Sequence, residues 1–254
     1  MKKTIKHLLT AAIAAMLLLT ALPFTAAAAE SRTTGCTWTL DNAGTLTISG
    51  KRTMDAYTEG KTPWGTAVKK VVIQDGVKNI GNAAFAGCKQ LTEVQIAGSV
   101  KFVAENAFKG CTALKTISLP DNIYYISNNA FMNCTALKSI RLPGKLNGIS
   151  ANAFSGCAAL EAIDLPESVS EIGTYAFSGC EALTEVTLPG SMKRIEDFMF
   201  KGCKRLHEVM IPASVTGISN NAFDGCASGL TIYGKVNSYA QQYAKQQKLM
   251  FMGV

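Results

Sequence analysis

Residues 114–136 read LKTISLPDNIYYISNNAFMNCTA, and residues 137–159 read LKSIRLPGKLNGISANAFSGCAA. Laid one over the other, the two stretches share an apolar skeleton and differ between its bones. Leu114, Ile117 and Leu119 sit above Leu137, Ile140 and Leu142, Ile126 above Ile149, Phe131 above Phe154, and Cys134 above Cys157. Extended outward, the phenylalanine column runs Phe85, Phe108, Phe131, Phe154, Phe177, Phe200 and Phe223, and the cysteine column runs from Cys88 to Cys226 with the same period of 23. A fixed period of this size means stacked coils, each too small to bury its own apolar side chains. The burial available within one coil is no larger than the entropy of ordering it, so stability must come from neighbours and from closed ends.

Spacing inside the repeat assigns its parts. Ile117 and Leu119 alternate as a short strand does, and Pro120 closes it, so strands of successive coils stack in parallel. Asp121 and Asn122, or Gly190 and Ser191, then supply turn formers. The segment from Ser127 to Asn133 suits one or two capped helical turns that drop Phe131 inward. Before each cysteine stands Gly87, Gly110, Asn133, Gly156, Gly179, Gly202 or Gly225, residues that accept left-handed backbone, which fits a C-cap. The fold expected is an α/β solenoid of about eight stacked rungs over residues 68–234. It carries a parallel β-sheet on one face and short helical turns or irregular segments on the other.

Both ends depart from the repeat as caps should. Trp38 and Leu40 alternate toward Asp41-Asn42-Ala43-Gly44, and Leu46 and Ile48 alternate away, a hairpin within an N-terminal cap over residues 30–67. Thr62 and Gly65 stand where phenylalanine and cysteine belong, making the first rung a half repeat. Over residues 235–254, Ser238 to Lys248 reads as a short helix and Leu249 to Met252 as a closing strand. Ahead of everything, Lys2, Lys3 and Lys6 precede an apolar run from Leu8 to Leu22, and Ala27, Ala28 and Ala29 lead to Glu30. This is the pattern of a signal peptide over residues 1–29, too short and wrongly flanked for a membrane anchor. No second apolar run follows, so a secreted chain without a transmembrane segment is expected.

The formal net charge of +7 falls by three when the leader's lysines are removed, and what remains is spread along the chain. A nucleic-acid partner would want a basic stripe with interleaved aromatics, which is absent. Of two histidines His7 leaves with the leader, so His207 stands alone, and no nucleophile, metalloprotease or phosphate-loop motif accompanies it. Glu196 and Asp197 read as a solvated turn. Equivalent cysteines should lie about 4.8 Å apart with parallel side chains, too far for an unstrained disulfide and in the wrong arrangement for tetrahedral zinc. Buried thiols acting as small hydrophobes are expected, with neither metal nor cofactor. Cys36 lies outside the column.

At this point the pattern L-x-x-I-x-L-P, I-x-x-I and A-F-x-G-C resembles the BspA-like leucine-rich repeats of bacterial surface proteins. The flanks resemble that family too, with Thr37-Trp38-Thr39-Leu40, Gly44-Thr45-Leu46-Thr47-Ile48-Ser49-Gly50 and Ser238-Tyr239-Ala240. The resemblance implies a secreted or surface-displayed bacterial protein, in a family some of whose members bind host matrix proteins such as fibronectin or fibrinogen. Leu165-Pro166-Glu167-Ser168 is a repeat turn rather than a wall-sorting signal, so attachment to the cell would be noncovalent, with free secretion the alternative.

In a solenoid the consensus positions build the core, and variable columns build the surface. The columns flanking the middle strand residue, such as Glu93 and Gln95 or Ser139 and Arg141, are polar and mixed in sign. The columns inside I-x-x-I contain Lys101, Phe102, Tyr124 and Tyr125, where aromatics gather on adjacent coils. These four are the candidate ligand-binding residues, since exposed aromatics beside a lysine suit protein or glycan recognition. The function expected is binding of an extracellular protein or glycan, adhesin-like, with a passive scaffold in a bacterial envelope assembly as the alternative.

Overall fold

The computed structural model describes residues 35–254; the leader assigned to residues 1–29 lies outside the described residues. Two strands, β1 (Cys36–Leu40) and β2 (Thr45–Gly50), form an antiparallel hairpin, with Leu40 opposite Leu46. Its turn is held by the Asp41 carboxylate, which accepts from the backbone N–H of Ala43 at 3.0 Å and of Thr45 at 2.7 Å. Strand β2 then pairs in parallel with β3 (Lys70–Ile73), and β3 with β4 (Glu93–Ile96). The hairpin is therefore the first layer of the stack as well as its cover. This is why the solenoid has about nine turns where the repeats alone suggest about eight.

The same wall continues through β6 (Thr116–Ser118) and β8 (Ser139–Arg141), then β11 (Glu185–Thr187), β13 (Glu208–Ile211), β15 (Thr231–Gly234) and β16 (Met250–Gly253). Register is one full repeat per step: Val186 opposes Val209, and Val209 opposes Ile232. No ladder joins β4 to β6, and at residues 162–165 the chain follows this path without ladder geometry, so the wall is interrupted at both places.

A second parallel sheet arises from the I-x-x-I segment. Two-residue strands β5 (Phe102–Val103), β7 (Tyr125–Ile126), β9 (Gly148–Ile149) and β10 (Glu171–Ile172) pair in sequence, and β12 (Arg194–Ile195) pairs with β14 (Gly217–Ile218). Val103, Ile126, Ile149 and Ile172 drop into the core while the residue before each faces outward or along the surface.

The third wall is irregular, and it is built from overlapping turns rather than helix. Ala130 N–H bonds Ser127 C=O, Met132 bonds Asn129, and Cys134 bonds Phe131, a chain of i to i+3 turns. Asn129 and Asn133 take φ of 56° and 60° at the third position of the first and last of these turns, which a helix would not allow. The glycines before the cysteines thus serve turns, not helix C-caps. Between these turns the backbone still finds neighbours. Asn129, Phe131 and Asn133 donate to Ala151, Ala153 and Ser155 of the next coil at 3.1, 2.8 and 2.8 Å. Overlapping turns keep alternate N–H groups pointing along the stack, and a helix would consume them internally.

The phenylalanines fill the interior as one column. Ring centroids from Phe85 to Phe223 lie between 5.2 and 5.6 Å apart, and most neighbouring planes are within 10° of parallel. Both ends of the column are closed by other aromatics. Trp64 lies 6.1 Å from Phe85 and donates its Nε1–H to Ala84 C=O at 3.1 Å; Tyr57 and Trp38 pack edgewise on it. Thus the space left by Thr62 is taken by a ring two residues further on. At the other end the helix α1 (Tyr239–Gln246), N-capped by Ser238, lays the buried Tyr243 ring 6.1 Å from Phe223.

Candidate functional site

The four residues singled out by sequence lie on the second sheet, but the structure divides them. Phe102 and Tyr125 are register partners in β5 and β7, and Tyr124 N–H donates to Lys101 C=O at 3.3 Å. Tyr124 is 52% exposed, and Lys101 is also exposed. Tyr125 instead lies over the following coil. A Cβ built on Gly148 would come within 2.5 Å of its ring, so the ring occupies the space that glycine vacates. Arg194 behaves in the same way, with Nη1 3.0 Å from where a Cβ on Gly217 would stand. Asn79, in the same pair of columns, is not at the surface at all. It is buried, and its Oδ1 accepts from Met54 N–H at 2.7 Å.

This leaning of long side chains opens a groove of about 650 Å³ between Tyr125 and Arg194. Ile149, Ile172 and Gly173 lie in its floor; Asn128, Ser150, Ser170, Glu171 and Thr174 line it; Lys193, Arg194 and Glu196 close the far end. Three coil steps separate Tyr125 from Arg194, a span of about 14 Å. Of the four expected residues only Tyr125 lines the groove. The volume falls within the ~300–1,000 Å³ of small-ligand sites. At the far end Arg194 Nε lies 3.4 Å from Glu196 Oε1, so that cation is matched.

Sequence reasoning passed over a second aromatic group. In the turn column occupied by Asn106, Asn129 and Asn152 the next two coils carry Tyr175 and Phe198, both half-buried. They keep φ of 58° and 56°, a backbone state that asparagine tolerates and bulky residues rarely adopt. Their rings stack at 4.8 Å, and Lys201 Nζ lies 4.9 Å from the Phe198 centroid. The signal was present in the sequence as a break in the asparagine column.

The first sheet's outer face is solvated and ion-paired, with Lys70–Glu93 at 2.8 Å and Arg141–Asp121 at 2.9 Å. His207 is exposed there, its Nδ1 3.0 Å from Arg205 C=O. The cysteines do more than fill volume. Each thiol from Cys111 to Cys226 donates to the carbonyl of the phenylalanine one coil earlier, Cys134 to Phe108 at 3.1 Å for example. All eight thiols are free, and Cys36 donates to Arg52 and Thr53 carbonyls in the cap. Burial pushes Cys88 up to about 12 and raises Cys157 and Cys180 well above the ordinary thiol value, which keeps these sulfurs protonated and poorly nucleophilic. Among the described residues no cluster of His, Cys, Asp or Glu could hold a metal ion, and no helix is long and apolar enough to cross a membrane.

The repeat can now be compared with known proteins. The BspA type leucine-rich repeat region matches residues 64–183 and 101–231, in six copies. The chain belongs to this family. No curated protein matches it. Among solved structures, this BspA-type chain is similar to a leucine-rich repeat protein of T. pallidum (23% identity, 85% of this chain and 94% of that one, TM-score 0.49). It is also similar to a leucine-rich cell surface protein of Faecalibacterium prausnitzii (21%, 87% and 97%, TM-score 0.34). A third is the pneumococcal vaccine antigen PcpA (12%, 74% and 68%, TM-score 0.42). At these similarities none bears on what this BspA-type protein binds.

Proposed function

We propose that this protein is an exported recognition module, secreted or held at the cell surface, that binds an extracellular protein or glycan through the groove between Tyr125 and Arg194. The observation that carries the reading is the groove itself. It is an open concavity with an aromatic wall and polar side chains along its length, on a solenoid whose opposite sheet is paired into ordinary surface ion pairs. Export rests on the charged, apolar and small-residue pattern of residues 1–29.

The test is binding of residues 30–254 to a panel of matrix proteins, mucins and glycans, beside the variant Tyr125→Ala and the triple variant Lys101→Ala, Phe102→Ala and Tyr124→Ala. Saturable binding that Tyr125→Ala loses while remaining folded supports the groove. Binding lost only in the triple variant moves the site to the exposed edge beside it. No binding to any member of the panel removes the reading.

A further inference from the structure

Resting on that reading, we infer that the groove is built for an uncharged saccharide of about three sugar units rather than for a peptide. A peptide laid on a sheet is held by main-chain hydrogen bonds to a free strand edge, with side chains in apolar pockets. Along the Tyr125 wall the groove offers neither. There strand β9 is an interior member of its sheet, with Gly148 pairing to both Tyr125 and Glu171 and Ile149 to both Ile126 and Ile172; β10 is the last strand of that sheet, and no ladder joins it to β12. The flanking amides on that side are spent as well. Ser150 N–H donates to Ile126 C=O at 2.9 Å, Ser170 to Asn147 at 3.0 Å, and Gly173 to Ile149 at 2.8 Å. Ile149 and Ile172 lie in the floor but are almost wholly buried, so neither opens a deep pocket for an anchoring side chain.

What the groove does offer is side-chain hydrogen-bonding groups along its length. Among the described residues the hydroxyls of Ser150 and Thr174 and the amide of Asn128 make no side-chain hydrogen bond, while the exposed Glu171 carboxylate stands in the middle. A carboxylate accepts from two neighbouring hydroxyls, and an amide both donates and accepts, which matches the vicinal diols of a sugar. The Tyr125 ring, held in place over Gly148, presents an apolar wall on which the C–H face of a pyranose can rest. Charge also speaks for an uncharged ligand. Arg194 is tied to Glu196, and the lining as a whole carries two cations, Lys193 and Arg194, against two carboxylates, Glu171 and Glu196.

The experiment is an array of uncharged gluco-, manno- and galacto-oligosaccharides beside sulfated and uronic-acid glycans. Hits are titrated calorimetrically with the wild type and with Tyr125→Ala, Glu171→Gln and Arg141→Ala, after each variant's thermal unfolding has been matched to the wild type's. The expected result is saturable binding of an uncharged oligosaccharide, weakened roughly tenfold or more by Tyr125→Ala and severalfold by Glu171→Gln, unchanged by Arg141→Ala on the other sheet. Affinity should change less than about twofold as salt is raised, because no ion pair forms across the interface. Binding only of acidic glycans, with a steep salt dependence, overturns the ligand class. So does binding of an unglycosylated protein through Tyr125, which leaves the recognition module standing. Sugar binding indifferent to both groove variants overturns the site, and silence across the array overturns the inference.

Discussion

Removing one ring from the middle of the phenylalanine column should cost this protein more than removing one from its end. Phe154 is fully buried, with Phe131 at 5.3 Å and Phe177 at 5.6 Å, planes within 2° of parallel. The change Phe154→Ala leaves a void between two rings that cannot close on it. Each is held at its own level by backbone bonds to the adjoining coil, such as Phe131 N–H to Ala153 C=O at 2.8 Å. Poor relaxation places the cost at the upper end of the usual range, about 4–5 kcal/mol. Phe223, slightly exposed and flanked on one side by the tilted Tyr243 ring, should cost about 2–3 kcal/mol on truncation, because α1 can settle inward. The assay is urea unfolding followed by far-UV circular dichroism and by tryptophan fluorescence. Both tryptophans, Trp38 and Trp64, lie at the N-terminal end, so fluorescence reports that end alone. Solenoid stability passes from neighbour to neighbour, so the Phe154→Ala curves should separate between the two probes where the wild type's coincide. Phe154→Leu, which restores most of the volume, should lose only about 1–2 kcal/mol and keeps the comparison usable should the alanine variant not fold. A Phe154→Ala cost below about 1.5 kcal/mol, or below that of Phe223→Ala, would refute the idea of a column that cannot relax.

Four further outcomes follow from the same geometry. Cys88, Cys157 and Cys180 are raised above the ordinary thiol value by burial, and Cys111 and Cys203 by the next thiol along the column and then by burial. The unfolded chain therefore ionises first. Stability should be level below about pH 9 and fall above it by up to about 1.4 kcal/mol per pH unit for each thiol, with a shallower fall in Cys157→Ala; urea midpoints at pH 8 and pH 10 that coincide would contradict this. Gly179→Ala should cost about 1–2 kcal/mol through its φ of 72° alone, since the added methyl would meet Gly156 only at ordinary contact distance, 3.6 Å. The reverse logic makes Asn133→Gly, at φ 60°, neutral to within about 1 kcal/mol by thermal melting. Gly148→Ala should displace the Tyr125 ring into the groove and weaken ligand binding in titration while the melting temperature stays within a few degrees, because the atom in its way, Tyr125 Cε2 at 2.5 Å, belongs to a side chain that can swing. A large fall in melting temperature would mean the ring is wedged.

Much of the architecture is legible in residues 68–234 because the repeat is a physical instruction given many times over. The columns of Phe, Cys, Leu and Ile cannot be buried except by stacking, and the stacking register is the period itself. The hairpin at Trp38 to Ile48, the closing helix after Ser238 and the inert character of the buried thiols were readable for similarly local reasons: alternation, capping chemistry and column geometry. For the third wall the sequence left short helical turns and irregular segments both open, because Asn129 at φ 56° looks in sequence like any helix-capping asparagine. Only the hydrogen bonds to the next coil reveal that the turn must leave its alternate N–H groups free.

The candidate site divides along the same line. Composition and pattern identify the outward columns and their aromatics, since polarity and position in the repeat decide which residues can be core. Where Tyr125 goes is decided by Gly148, twenty-three residues away and one layer up, and whether a groove exists depends on Arg194 leaning over Gly217 at its far end. Trp64 likewise takes the ring position vacated by Thr62 through packing on Phe85, not through its place in the period. Local pattern determines what each coil contains; the space between side chains of different coils exists only after the coils have stacked.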